Sequence, residues 1–242
     1  MRQRAPDALV LDAGDALIRD QPPATTSLGA SSVELLDMMG YDAIVLGAGD
    51  LERLGVARLR ELLPGAQFVT LSANLVPDDI AAPSVSDQVL VQPYLIRKVQ
   101  GYAVAVIGLT SPLSLDEAEV RDPIASVRQA VEEAGQEAGV LILLSHLGIT
   151  FNEEIASLFP ELDLIVSGGG RGYTMQPFLT EGGPPIVHAD MASPGHAGRR
   201  IGVGTWWFDA HGHLLGYAWE STSLTPDIAE DVEVTRWMRD NP

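Results

Sequence analysis

The stretch Val140-Leu-Ile-Leu-Leu-Ser-His-Leu-Gly148 gives the most direct indication of the fold of this 242-residue sequence. Its apolar half, Val140 to Leu144, is typical of a strand that is buried on both faces, and a short polar loop follows it. Three more apolar strands end in polar or glycine-rich loops: Leu11 leads into Asp12–Asp15, Val45 into Gly47–Asp50, and Val166 into Gly168–Gly172. Ligands of α/β sheets bind beyond the carboxyl ends of the strands, so these loops are the expected location of a functional site.

Helical patterns separate the early strands. Apolar residues recur at helical spacing from Val33 to Met39 and from Leu51 to Leu63, and helix-forming residues fill Ser126 to Gly139. A short helix over Asn152–Phe159 is expected to begin with Asn152 as its cap. This alternation of strand and helix predicts βαβ units.

The later strands follow one another without helices. Val89–Gln100 and Tyr102–Thr110 predict an antiparallel pair that turns at Gly101, and Arg200–Phe208 and Leu214–Ser223 predict a second hairpin. Early βαβ units followed by hairpins predict an α/β protein with mixed sheets. We expect residues 1–242 to form a single domain.

The charge balance excludes one class of partner. The sequence has 33 acidic and 15 basic residues, for a net charge of -18. A nucleic-acid-binding protein needs a basic surface, and this composition predicts none. Anionic membrane surfaces are disfavoured for the same reason.

The sequence also lacks features that cysteine chemistry and membrane insertion require. The sequence has no cysteine, which excludes disulfides, thiolate metal sites and cysteine catalysis. No apolar run reaches the roughly 18 residues of a membrane-spanning helix, and the amino-terminal residues do not resemble a signal peptide. We therefore expect no membrane insertion and a cytoplasmic location by default, with export as the alternative if a signal has been removed.

Asp15, Asp50 and His146 are the candidate metal ligands of the strand-end loops. A set of carboxylates and imidazole suits a hard or borderline divalent ion. Each residue also has a structural interpretation. Asp15 could cap a turn, Asp50 could be the cap or first-turn acid of the following helix, and His146 could be a buried, hydrogen-bonded histidine.

The glycine-rich loop Gly168–Gly172 is a candidate anion site. Backbone amides of Gly169 and Gly170 could form a nest for an anion, with Arg171 as its charged partner. A flexible turn without a ligand is the alternative. His188 lies in an apolar strand and is expected to be a core or edge histidine, whereas His196 lies in a loop near the expected ligand space.

Six segments, taken in their order along the chain, resemble those of a known protein family. The segments are Leu11-Asp-Ala-Gly-Asp15, Met39-Gly-Tyr-Asp-Ala-Ile-Val-Leu-Gly47, Phe68-Val-Thr-Leu-Ser-Ala-Asn74, Val104-Ala-Val-Ile-Gly-Leu-Thr110, Leu144-Ser-His-Leu-Gly148 and Asp163-Leu-Ile-Val-Ser-Gly168. Together they resemble the catalytic-domain core of 5′-nucleotidase-type metallophosphoesterases, within the calcineurin-like phosphoesterase superfamily. The resemblance implies a four-layer α/β/β/α sandwich of two mixed sheets, with two metal ions that hydrolyse phosphate esters at one edge.

The metal-binding motifs of that family are largely missing here. No counterpart of its first motif, Asp-x-His, precedes Asp15. Ala48 and Gly49 stand where the family has a metal-binding Asn and a catalytic His, and Gly169 and Arg171 stand where it has two more histidines. Only Asp15 and His146 match the family's ligands, which leaves too few to hold two ions.

Three functional hypotheses follow. The first is a non-catalytic relative that keeps the fold as a binding or assembly subunit, without a metal cofactor and with a protein partner or a second copy of itself. Arg171 would then pair with Asp15 and replace the lost metal charge. The second is a surviving hydrolase of phosphate monoesters or nucleotides, in which Asp12, Asp15, Asp50 and His146 hold Mn²⁺, Mg²⁺ or Zn²⁺ and Arg171 binds the phosphate. The third is an unrelated small-molecule binder. Pro226 to Asp240 resembles the stretch that joins the family's catalytic domain to its carboxyl-terminal substrate-binding domain, and we expect that second domain to be absent from residues 1–242.

Overall fold

The computed structural model describes residues 5–78, 90–170, 175–190, 199–209 and 214–241. The helices are α1 (Ala30–Met39), α2 (Ala48–Leu62), α3 (Pro123–Ala134), α4 (Ile149–Leu158) and α5 (Val232–Asp240). The strands are β1 (Leu11–Asp12), β2 (Ala43–Val45), β3 (Val69–Leu71), β4 (Leu75–Pro77), β5 (Tyr94–Val99), β6 (Tyr102–Leu109), β7 (Ala118–Val120), β8 (Val140–Ser145), β9 (Leu164–Ser167), β10 (Ile186–Val187), β11 (Arg200–Phe208) and β12 (Leu214–Ser223). None of the helices within these ranges is long and apolar enough to cross a membrane.

The predicted α/β class is confirmed. One sheet has the order β1-β2-β3 and is parallel throughout, and a larger one has the order β10-β9-β8-β6-β5. In the larger sheet only β5 is antiparallel to its neighbour, and the predicted turn at Gly101 joins it to β6. The predicted hairpin of β11 and β12 is also present, and β4 pairs with β7. The described strands therefore form four sheets, of which only the five-stranded one is mixed.

Strand periodicity divides the apolar residues among three clusters. In β8, Leu141 and Leu143 pack in a cluster with α3 and α4, whereas Ile142 and Leu144 point to the other face and meet residues of β2 and β3. A third cluster packs α1 and α2 against the outer face of the three-stranded sheet. The two larger sheets thus face each other, and helices cover their outer faces.

The hairpin of β11 and β12 and the helix α5 contribute no residue to these three clusters. The central part of the chain therefore forms the core, while the described residues after position 190 lie outside it. The complete four-layer sandwich of two mixed sheets stays a prediction.

A glycine allows the two sheets to come close together. Gly108 in β6 lies directly over Leu71 in β3, and a Cβ at this position would overlap the Leu71 Cβ. The same region is joined by a parallel bridge between Leu71 and Gln92. This contact holds the carboxyl ends of strands from both sheets in one region.

The start of α4 differs from the sequence prediction. The helix begins at Ile149 after Gly148, so Asn152 lies inside it rather than at its cap. Asn152 is fully buried, and its amide binds side chains of the sheet. Hydrogen-bonding partners in the tertiary structure, which no local pattern reports, determine its place.

Candidate functional site

Four strand ends meet at the predicted site. Asp15 follows β1, Asp50 lies in the first turn of α2 after β2, His146 follows β8, and Gly169 follows β9. The structure brings these four residues together, as the contacts below show. Arg171, His196 and the predicted pairing of Arg171 with Asp15 lie outside the described residues.

Asp15 and His146 form an ion pair. The distance between His146 Nε2 and Asp15 Oδ2 is 3.2 Å, and the two side chains are 5% and 31% exposed. The other ring nitrogen, Nδ1, lies 2.7 Å from the carbonyl oxygen of Ala13. Both nitrogens therefore face oxygen acceptors, and only the doubly protonated ring can donate to both. This geometry favours an imidazolium.

The pKa values of the pair shift in opposite directions. Burial by itself would lower the pKa of His146, but the hydrogen bond and charge of Asp15 outweigh it and raise that pKa above 6.5. Burial would likewise raise the pKa of Asp15, but His146 and the amides of Gly49 and Asp50 lower it below 3.8. Both shifts favour the charged forms of the two side chains.

The second oxygen of Asp15 binds the start of α2. Asp15 Oδ1 accepts hydrogen bonds from the backbone N–H groups of Gly49 at 2.8 Å and Asp50 at 3.3 Å. The residue before the helix is Gly47, which has no side chain to cap it. Asp15 therefore caps α2 from a distant part of the chain.

Asp50 is bound to the backbone on both of its oxygens. Asp50 Oδ1 accepts from the N–H groups of Leu17 at 2.9 Å and Ile18 at 3.3 Å, and Oδ2 accepts from Gly47 at 3.3 Å. The residue is fully buried, and burial together with the charge of Asp15 raises its pKa to about 7. Its observed role is to connect the loop after β1 to the start of α2.

Asp12 makes a local turn. Its Oδ1 accepts a hydrogen bond from the N–H of Gly14 at 2.9 Å, and burial raises its pKa. This is the hydrogen-bonding pattern of an aspartate that shapes a loop.

Close contacts surround the glycines of the site. A Cβ at Gly47 would overlap Asp15 Oδ1, and a Cβ at Gly49 would lie 2.9 Å from the same atom. A Cβ at Gly169 would overlap the carbonyl oxygen of His146, and the φ of Gly169 is 71°. These positions cannot accept larger side chains unless their neighbours move.

A buried polar network beside the site was not predicted. Ser145 Oγ donates to Asn152 Oδ1 at 2.8 Å, Asn152 Nδ2 donates to Ser167 Oγ at 2.9 Å, and His188 Nδ1 lies 3.1 Å from Ser167 Oγ. The only signal in the sequence is that Ser145 and Ser167 each end an apolar strand. His188 is buried, and burial lowers its pKa, which favours the neutral ring.

Known proteins resemble this chain in both sequence and structure. It is 30% identical over 165 residues to the uncharacterized metallophosphoesterase YunD of Bacillus subtilis, covering 66% of this chain and 35% of YunD. It is 34% identical over 196 residues to a probable 5′-nucleotidase of Treponema pallidum, covering 77% of this chain and 32% of that protein. The solved 5′-nucleotidase precursor of Thermus thermophilus matches with a TM-score of 0.78 at 27% identity, over 95% of this chain and 48% of that one. No family model matches the sequence.

The chain is a relative of the 5′-nucleotidase-type metallophosphoesterases. The suspected resemblance is thereby confirmed for the core of the catalytic domain. The chain spans about a third of the length of both curated relatives, 35% and 32%.

Metallophosphoesterases of this type normally use divalent metal ions. Within the described ranges, no three His, Asp or Glu side chains are grouped so that they could hold one ion. Asp15 and His146 bind each other, and all three contacts of Asp50 are to backbone amides. A catalytic divalent ion normally has about three protein ligands, so the described residues do not fit a metal pair. The roles of Asp15, His146 and Asp50 as metal ligands, and of Gly169, Gly170 and Arg171 as an anion site, stay predictions.

Proposed function

We propose that this chain is a metallophosphoesterase-like domain that has lost most of its metal ligands and acts as a binding or assembly subunit without catalysis. One observation carries the proposal. Asp15 and His146, the two residues that match family ligands, bind each other, and Asp15 also binds the start of α2.

The chemistry of phosphate-ester hydrolysis supports this conclusion. The family's paired ions activate water and neutralise phosphoryl oxygens, and both effects require several ligands per ion. In this chain the positive charge next to Asp15 comes from an imidazole that is 5% exposed. A buried imidazole that donates both protons to protein oxygens has no free nitrogen with which to activate water.

Exposed apolar residues suggest a protein partner. Ile201, Val203, Trp207 and Leu215 on the hairpin of β11 and β12 are all more than a third exposed. Ile201, Val203 and Trp207 alternate along β11 and therefore lie on one face of the hairpin, and an exposed apolar patch is typical of an interaction site. We propose that a protein, either another chain or a second copy of this one, covers this hairpin. We also propose that residues 1–242 form a single domain. Size-exclusion chromatography with light scattering would detect a stable second copy.

The experiment is a phosphatase and nucleotidase assay with Mn²⁺, Mg²⁺ or Zn²⁺, using p-nitrophenyl phosphate and AMP. We expect wild-type turnover to equal that of the variants Asp15→Ala and His146→Ala. Circular dichroism would confirm that all three proteins are folded. Metal-dependent turnover that both substitutions abolish would contradict the proposal.

A residual hydrolase is the second candidate. The observation in its favour is that Asp15 and His146 both persist and lie next to each other, in a chain that is 34% identical to a probable 5′-nucleotidase. Asp12, Asp15, Asp50 and His146 would hold an ion after the ion pair opens, and Arg171 would bind phosphate. The same assay decides between the two functions.

A further inference from the structure

Three loops of the site are joined through one carboxylate. Asp15, in the loop after β1, contacts Gly49 and Asp50 at the start of α2 and His146 after β8. In a metal centre, an ion would make such connections. We infer that the His146 side chain has taken the place of a cation at Asp15, and that this contact fixes the Asp15 carboxylate as the cap of α2. The inference rests on the proposed loss of metal binding.

The orientation of His146 supports the first half of the inference. The Nδ1 atom donates to the carbonyl of Ala13, which leaves Nε2 as the atom that a metal would use. Here Nε2 meets Asp15 Oδ2 at 3.2 Å. The ring thus keeps the orientation of a metal ligand but offers a proton where a ligand would offer a lone pair.

The start of α2 supports the second half. Its first-turn amides need an acceptor, and Gly47 cannot supply one. The Asp15 carboxylate binds two of them and places a negative charge at the positive end of the helix. Asp15 has a φ of 61°, a left-handed backbone conformation that is costly for most residues and that aspartate, like asparagine, tolerates better when its side chain forms hydrogen bonds.

Glycine at two positions where the family has histidines, Gly49 and Gly169, fits this arrangement. The absence of a side chain at Gly49 lets Asp15 Oδ1 approach to 2.8 Å from the backbone nitrogen of Gly49. A Cβ at Gly49 would lie 2.9 Å from the same oxygen. Gly169 leaves room for the carbonyl oxygen of His146, which a Cβ would overlap. The losses at positions 49 and 169 are thus compatible with one closed, metal-free arrangement.

A double-mutant cycle tests the contact. The variants Asp15→Asn and His146→Asn should each lower the melting temperature by about 4 to 8 °C, the shift expected when roughly 2 kcal/mol is lost in a domain of this size. The double variant should melt close to the less stable single variant, because both substitutions remove the same contact. The matched control pairs His146→Asn with Asp122→Ala at the exposed cap of α3, where the losses should add. Additive losses for Asp15 and His146 would overturn the inference.

A second test compares the change in melting temperature caused by Gly49→Ala with and without the Asp15 carboxylate. In the Asp15→Gly background, Gly49→Ala should raise the melting temperature, because alanine favours the helix and no carboxylate opposes its Cβ. In the wild-type background the same substitution should lower it, because the Cβ meets Asp15 Oδ1. Asp15→Gly alone should lower the melting temperature although it relieves the positive φ. Equal effects of Gly49→Ala in both backgrounds would contradict the role of Asp15 as a cap.

These tests separate the inference from the proposed function. Mn²⁺-dependent turnover in the assay above would overturn the loss of catalysis whatever the cycle shows. An additive cycle in a protein without turnover would overturn only the substitution of His146 for a cation.

Discussion

Single acidic residues of the site differ in what they bind, although each follows an apolar strand. Asp12 binds the N–H of Gly14 in its own loop, whereas Asp15 and Asp50 connect separate loops. Asp50 is the most buried of them, and its partners are all backbone amides. Its side chain therefore stabilises the fold whether or not a ligand binds nearby.

Replacing Asp50 should lower the free energy of unfolding substantially. The variant Asp50→Ala leaves the N–H groups of Leu17, Ile18 and Gly47 without this acceptor. At about 1 kcal/mol or more per buried donor, we expect unfolding in urea to lose at least about 3 kcal/mol of stability. The control Asp231→Ala removes the exposed cap of α5 and should cost about 1 kcal/mol or less. Equal losses would contradict the structural role of Asp50.

The ion pair between Asp15 and His146 predicts how the stability of the protein depends on pH. The lowered pKa of Asp15 contributes stability above pH 3.8 that is lost as pH falls through the folded value. The raised pKa of His146 contributes stability that is complete below pH 6.5 and is lost as pH rises through the folded value. The difference in melting temperature between wild type and His146→Asn should therefore be largest between these limits and should shrink at higher pH. A difference that grows at higher pH would show that His146 is neutral in the folded protein.

The sequence predicted which residues are candidates but not which ones meet. Asp15 and His146 lie in loops that are far apart in the chain, and no spacing rule reports a contact across two sheets. The structural interpretation of Asp50 could be anticipated, because an acid just after a strand and before a helix often binds amides. The connection from Asn152 to Ser145 and Ser167 had no comparable signal, since it depends on how α4 lies against the sheet.

Among the elements, the strands were predicted better than the helix ends. Apolar runs identify buried strands directly, and the turn at Gly101 identifies an antiparallel pair. Helix starts depend on a few hydrogen bonds that distant residues can supply. At α2, Asp15 supplies that acceptor, and at α4 no side chain caps the first turn.

The close contact between β6 and β3 makes a prediction for the sheets. Gly108→Ala places a Cβ against Leu71 and should destabilise the protein by about 1 to 3 kcal/mol, the usual cost of overpacking. The control Gly65→Ala adds a Cβ with no atom within 4 Å, and should be neutral or stabilise by about 0.5 kcal/mol. Urea unfolding of both variants is the measurement. A neutral Gly108→Ala would mean that the sheets lie farther apart.

At the scale of the whole molecule, the fold resembles that of metallophosphoesterases while the chemistry of the site differs from theirs. The sheets and helices follow those of metallophosphoesterases, while the described residues of the site lack a metal-binding group. Packing requires apolar strands in the right order, which many sequences satisfy, whereas an ion requires particular side chains at single positions. The sequence therefore predicted the fold class well, but the replacement of a cation by His146 could be recognised only from the structure.

The net charge of -18 should destabilise the folded chain through self-repulsion. Raising NaCl from about 20 mM to about 300 mM shortens the screening length to below about 10 Å and should raise the melting temperature. Tetramethylammonium chloride should have the same effect, because screening does not depend on the identity of the cation. A rise with NaCl alone would indicate a specific sodium site instead.

The most direct test of the central claim is the Mn²⁺ content of the purified protein after incubation with excess Mn²⁺ and removal of free ions, measured by inductively coupled plasma mass spectrometry. If His146 has replaced a cation at Asp15, wild type and His146→Asn should both retain far less than one ion per chain. One or two retained Mn²⁺ ions per wild-type chain, lost in the variants Asp15→Asn and His146→Asn, would contradict the account.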